Sequence, residues 1–190
     1  MRTLYLDCGM GAAGDMLTAS LLQLFSEPVK QVKKLNDLKI PGGKYQLVAC
    51  TRGGIRGYQV RVFVKGQEEE NPHMQTEEQI GHKSEEPEKH TQEHGHHSMS
   101  QIVRLINRLK IEDQVIQDAV AVYKLIAKAE GKAHGQRMDE IHFHEVGTMD
   151  AVADVVAVCY LLNELQVDQI LASPVRVGYG QVKCAHGILP

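Results

Sequence analysis

No window of this 190-residue chain approaches the roughly 18 continuous apolar residues that a membrane-spanning helix requires. The start, MRTLYLDCGM, also lacks the long apolar stretch and small-residue cleavage site of a secretory signal, so the cytosol is the expected compartment. Cys8, Cys50, Cys159 and Cys184 are widely scattered and form no C-x-x-C pair. That spacing argues against a zinc ribbon and a disulfide framework, and the cysteines are expected mostly as small buried hydrophobes. A dense basic patch is missing too, which argues against nucleic acid as the partner.

What charge there is lies unevenly. Residues 66–98 hold nine Glu and two Lys, a net of −7, although the whole chain carries only −3. The remainder is therefore at +4, a mildly cationic folded part that favours an anionic small molecule. The 43% hydrophobic content and the length suit one medium domain or two small ones with a real core.

The pattern along the chain predicts an α/β fold, with a mixed α+β arrangement also admitted, in which a small sheet packs with helices. In residues 1–65, TLYLDC reads as a strand, and GDMLTASLLQLF as a helix with Met16, Leu17, Ser20, Leu21 and Leu24 at helical spacing. YQLVACT and YQVRVFVK alternate as strands about a glycine turn. Residues 66–98 nearly lack hydrophobic side chains and accumulate Glu, Gln and His, so this stretch is expected to be a disordered insert. Residues 99–190 resume with three helices: one striped by Ile102, Leu105, Ile106 and Leu109, one closed by Gly131 or Gly135, and MDAVADVVAVCYLLNEL, apolar almost all round. A strand and a hairpin follow. The last hairpin stops in mid-pattern, which leads us to expect the front part of a longer protein.

Three main features, and one smaller one, could carry chemistry. Asp7 ends the first strand, and Gly9, Gly11 and Gly14 then fall at the G-x-G-x-x-G spacing. No acidic residue ends a second parallel strand about 20 residues on, so this loop is expected to present a helix N-terminus to a substrate phosphate, or to form a tight turn, rather than hold a dinucleotide.

The densest polar cluster is IHFHEVGTMDAVAD. An extended IHFHEV would place His142 and His144 on one face, and Asp150 and Asp154 share a face of the helix that follows. With Glu145 these groups make a candidate nitrogen and oxygen site for a metal, or for a phosphate bound through one; the alternative is satisfied packing residues. The third feature is the run of His73, His82, His90, His94, His96 and His97, whose imidazoles suit nickel, copper or zinc without any preformed geometry. Glu130 and His134, four apart, fit a helix-surface pair as well as a site.

Four stretches, DCGMGAAGDM, AEGKAHG, IHFHEVGTMDAVADVV and SPVRVGYGQVKCAHGILP, together resemble the LarC family of nickel insertases in nickel-pincer nucleotide cofactor biosynthesis. They are spread over almost the whole chain outside the acidic insert. The resemblance implies insertion of nickel into pyridinium-3,5-bisthiocarboxylic acid mononucleotide, with carbon–nickel and sulfur–nickel bonds formed and CTP required, a lyase-class activity. Asp7, Gly11, Gly14, Asp15 and Met16 match the family's loop, and Gly9 falls outside it.

In full-length relatives the text after AHGILP continues into a C-terminal domain associated with nucleotide binding. This chain then resembles the N-terminal, nickel-handling part, with the mononucleotide and that domain as partners and CTP bound elsewhere. On this reading His142, His144, Glu145, Asp150 and Asp154 are the candidate catalytic set, Asp7, Gly11, Gly14 and Asp15 contact substrate, and His90, His94, His96, His97, His142 and His144 bind nickel. Self-association stays open. A nickel storage or delivery protein without catalysis is the alternative; a metallohydrolase using the H-x-H pair and a dinucleotide oxidoreductase fit less well.

Overall fold

The computed structural model describes residues 1–64, 67–68, 97–137, 141–143, 145–184 and 187–189, with the backbone alone at 67, 68, 142, 145, 182–184, 187 and 189. In chain order the elements are β1 (Thr3–Leu6), α1 (Gly14–Leu22), α2 (Pro28–Asp37), β2 (Gly43–Arg52), β3 (Ile55–Val64) and β4 (Gln67–Glu68). Then come β5 (His97–Ser98), α3 (Met99–Ile106), α4 (Asp113–His134), β6 (His142–Phe143), a 3₁₀ turn over Glu145–Gly147, α5 (Met149–Leu165), β7 (Gln169–Ala172), β8 (Val182–Cys184) and β9 (Gly187–Leu189). The mixed α/β class expected from the sequence is what the chain adopts, with its strands divided among small separate sheets.

Local chemistry accounts for most of these elements. Gly53 and Gly54, both at positive φ, close the β2–β3 hairpin in the two-residue form that suits strand twist. Pro28 opens α2, where its missing N–H costs nothing, and Val32 and Leu35 bury one side of that helix. Ser98 and Gln101 form a reciprocal capping box at the start of α3. In α4, Val115, Ala119, Tyr123, Ala127 and Gly131 recur every fourth residue on the buried face, and Gly135 ends the helix at φ +64°. As its all-round apolar sequence requires, α5 is central and packs against α1, α4, β2 and β3.

Two expectations need adjustment. The ends of the stretch expected as an insert are strands: Gln67–Glu68 extends the hairpin sheet, and His97–Ser98 pairs with His142–Phe143. The expected disorder of its interior, with His90, His94 and His96, falls outside the described residues. The helix read through Leu24 and Phe25 ends at Leu22; on α1 the buried residues are Thr18, Ala19, Leu21 and Leu22, whereas Met16, and Leu24 just past the end, are exposed. Those side chains line an open groove beside β1.

Candidate functional site

The β1–α1 loop is built by its own short-range bonds. Asp7 accepts a hydrogen bond from the Gly9 amide through Oδ1 at 2.9 Å, a turn that aspartate favours. Gly11 adopts φ +93° and donates its N–H to the Cys8 carbonyl at 2.9 Å. Only glycine takes that conformation without strain.

The loop is then tied to a segment more than 160 residues later. The Cys8 amide donates to Ser173 Oγ at 2.8 Å, and the Arg176 amide donates to the Cys8 carbonyl at 3.1 Å. The parallel pairing of β1 with β7 delivers both segments to the same end of the strands. Thus the stretch beginning SPVR, noted in the sequence only as part of a longer motif, becomes a wall of the loop.

A third segment meets them at Gly14. A Cβ built there would lie 2.4 Å from the Asp154 Cβ and 2.5 Å from its Oδ2, so the first turn of α1 touches this aspartate directly. Beside it, Asp15 Oδ1 accepts from the Met16 amide at 2.8 Å. Two carboxylates therefore stand at an N-terminus whose Ala13 offers no side-chain cap, where negative charge is favoured.

Two buried phenols complete the surroundings of α5's first turns. Tyr45 donates its hydroxyl to the Ala153 carbonyl at 2.6 Å, and burial, then the charge of Asp154, raises its pKa well above the ordinary range. Tyr123 donates to the Val146 carbonyl at 3.2 Å and meets Phe143 edge to face, with ring centroids 5.8 Å apart. Burial, then Asp150 and Asp154, raises its pKa too. Both groups stay neutral donors at physiological pH. Neither tyrosine was read as a site residue in the sequence; for Tyr45 the available signal was its inward position in the alternating pattern of β2, and for Tyr123 its place in the apolar stripe of α4.

The histidine-led motif folds as strand, 3₁₀ turn and helix. Its Phe143 and Gly147 are buried and in contact, since a Cβ on Gly147 would stand 2.6 Å from that of Phe143. The backbone of His142 pairs with Ser98 and that of Glu145 begins the 3₁₀ turn; His144 and the side chains of His142 and Glu145 are outside the described residues. Half-buried Asp150 and Asp154 occupy the first two turns of α5, as the spacing predicted. Half-buried His97 is held by a 2.9 Å hydrogen bond between Nδ1 and the Gly147 carbonyl, which joins it to this motif. Glu130 and His134 pair at 3.2 Å on the last turns of α4. Among the described residues, no group of three His, Cys, Asp or Glu side chains is gathered for a metal ion.

Beside the loop runs a groove of about 380 Å³, floored by β1 and walled by Met10, Met16, Leu17, Ser20 and Leu24. Here the α1 stripe read from the sequence finds its place. The groove stays open to solvent, with Tyr5 61% and Met10 90% exposed.

Three sequence-distant segments thus meet at one junction, where Asp15 and Asp154 stand at the start of α1 and the amides of Cys8, Gly9 and Gly11 are taken up by bonds to Ser173, Asp7 and the Cys8 carbonyl. The chain belongs to the nickel insertion protein family, whose model matches residues 4–190. It is 33% identical over 190 residues to a pyridinium-3,5-bisthiocarboxylic acid mononucleotide nickel insertion protein of Geobacillus kaustophilus, covering all of this chain and 42% of that one. Proteins of the same name from Clostridium acetobutylicum and Alkaliphilus metalliredigens are 38% and 32% identical, with 100% and 98% of this chain covered against 47% and 42% of theirs. The chain therefore spans less than half the length of these curated relatives. No solved structure matches. Among the described residues, no helix is long and apolar enough to cross a membrane.

Proposed function

We propose that this chain is the nickel-handling portion of a cytoplasmic, CTP-dependent insertase of the lyase class, which places Ni²⁺ into pyridinium-3,5-bisthiocarboxylic acid mononucleotide. The observation that carries the reading is the junction itself. Gly14 is pressed on Asp154 while Cys8 is bonded to Ser173 and Arg176, so three of the four motifs behind the family resemblance share one place.

In this reading nickel is the cargo. Neutral imidazoles of His142 and His144, with the carboxylates of Glu145, Asp150 and Asp154, hold it, a donor set that suits a borderline cation. Asp7, Gly11, Gly14 and Asp15 position the mononucleotide. His90, His94 and His96 collect nickel from a low-complexity stretch, whereas His97, bonded to Gly147, links that stretch to the site. The relatives' additional length would contribute the CTP-binding domain, which is the expected partner.

The test is the double substitution His142→Ala/His144→Ala in a full-length relative-like context. Nickel-pincer product is expected to fall to background while melting temperature and most of the bound nickel are retained. A well-folded double variant with unimpaired product formation overturns the assignment. The histidine-rich composition of residues 66–98 favours a second reading, a storage or delivery protein. In that case nickel binds, but no product forms even when the missing portion is supplied in trans.

A further inference from the structure

A cleft of about 450 Å³ opens between the chain after α2 and the far end of α3. It is lined by Lys39, Pro41, Gln101, Arg104, Leu105 and Arg108. Three cations thus face one concave surface from two elements, and no motif of the nickel reading includes any of them. Lys39 Nζ and the Arg108 guanidinium have no hydrogen-bond or ion-pair partner among the described residues. Arg104 donates Nε to the Ser100 carbonyl at 3.1 Å, which fixes its stem along its own helix. Its two terminal nitrogens remain for something else.

Cations near a helix C-terminus can be explained by the macrodipole alone. Here that account falls short, because Arg104 is bonded one turn back and Lys39 comes from a separate segment. Lys39 also holds φ +52°, a left-handed position just past α2 where glycine sits without strain. Like charges gathered on one surface repel, and an anion among them removes that cost.

We propose that this cleft binds a phosphate-bearing small molecule. Phosphoryl oxygens are held by Lys39, Arg104 and Arg108, and the organic part rests on Pro41 and Leu105. A phosphate group carries close to two charges at neutral pH and several terminal oxygens, which suits one ammonium and two guanidinium groups approaching from two sides. The proposal stands independently of nickel.

Titration calorimetry of the full chain, without metal, tests it with inorganic pyrophosphate and nicotinamide mononucleotide as probes and hexaglutamate as the charge control. Pyrophosphate is expected to bind, with affinity falling as salt is raised. Arg104→Ala/Arg108→Ala is expected to raise Kd at least about tenfold, in line with the loss of charge-assisted hydrogen bonds. Lys39→Gly separates binding from folding: it should weaken binding about threefold or more while the melting temperature holds or rises, because glycine relieves the left-handed backbone.

Tighter binding of the mononucleotide supports the apolar platform, and equal binding overturns that part while keeping the phosphate site. Pyrophosphate affinity unchanged in both variants, or hexaglutamate binding as tightly with the same sensitivity, overturns the proposal.

Discussion

Helix α1 has two faces with opposite fates. Its inner face, Gly14, Thr18, Leu21 and Leu22, packs on α5 and the β2–β3 hairpin so closely that a methyl group has no room at Gly14. Its outer face, Met16 and Ser20, together with Leu24 just past the helix end, lines an open groove beside a two-stranded parallel sheet whose Tyr5, Ile170 and Leu171 are all substantially exposed. Parallel strands are ordinarily covered on both sides. The inner face therefore carries the fold's stability, and the outer face is surface the fold leaves available, with the glycine loop at its rim.

The sharpest way to break that comparison is Gly14→Val. Its Cβ would fall 2.4 Å from the Asp154 Cβ, so α1 and α5 must separate. Overpacking of this kind costs about 3 kcal/mol, and the loop bonds from Cys8 to Ser173 and Arg176 should loosen with it. Urea denaturation reads the loss. A variant within about 0.5 kcal/mol of the parent would show that the inner face is no tighter than the outer one.

This asymmetry explains what could be read in the sequence. The α1 stripe of Met16, Leu17, Ser20, Leu21 and Leu24 was legible as periodicity, but periodicity reports an apolar face without saying what lies against it. Here Met16, Leu17, Ser20 and Leu24 marked the groove, whereas Leu21 of the same stripe is buried on the core side with Leu22, Ala19 and Thr18, of which Ala19 and Thr18 look neutral in a pattern. Helix α2 was missed in the sequence, since only Val32 and Leu35 are buried among its lysines, although Pro28 at its start was an available clue. The Asp150 and Asp154 positions on α5 were legible because their four-residue spacing is local. The partnership of Gly14 with Asp154, of Cys8 with Ser173 and of Tyr45 with Ala153 was not, because each bridges more than 100 residues and depends on chain topology.

The inner region can be sharpened by pH. Buried Cys159 on α5 has its thiol pushed from 9.0 up to about 11, by burial first and then by Asp118, against a backbone hydrogen bond that lowers it. A folded-state pKa above the unfolded value means that the native state binds its proton more tightly. The contribution is whole below pH 9 and is lost as pH rises toward 11, about 2–3 kcal/mol over the window. The raised pKa values of Tyr45 and Tyr123 extend the same trend to higher pH. Cys159→Ala is expected to lower stability by a constant amount below pH 9 and to flatten the limb between pH 9 and 11. An unchanged slope would place the alkaline sensitivity elsewhere.

The smallest effect belongs to the outer region. Tyr5 is 61% exposed and stands opposite Leu171, 45% exposed, across the β1–β7 pair. Truncating Tyr5 to Ser removes a cross-strand contact on a wet surface. Such contacts are worth about 0.2–1 kcal/mol, and the serine keeps the backbone hydrogen bonds of the parallel ladder. Stability measured by urea denaturation is therefore expected to fall by no more than about 0.5 kcal/mol, several times less than for Gly14→Val. A loss of 2 kcal/mol or more, on the scale of about 2–5 kcal/mol for truncating a core side chain, would mean that this face is buried in solution and would erase the distinction between the two sides of α1.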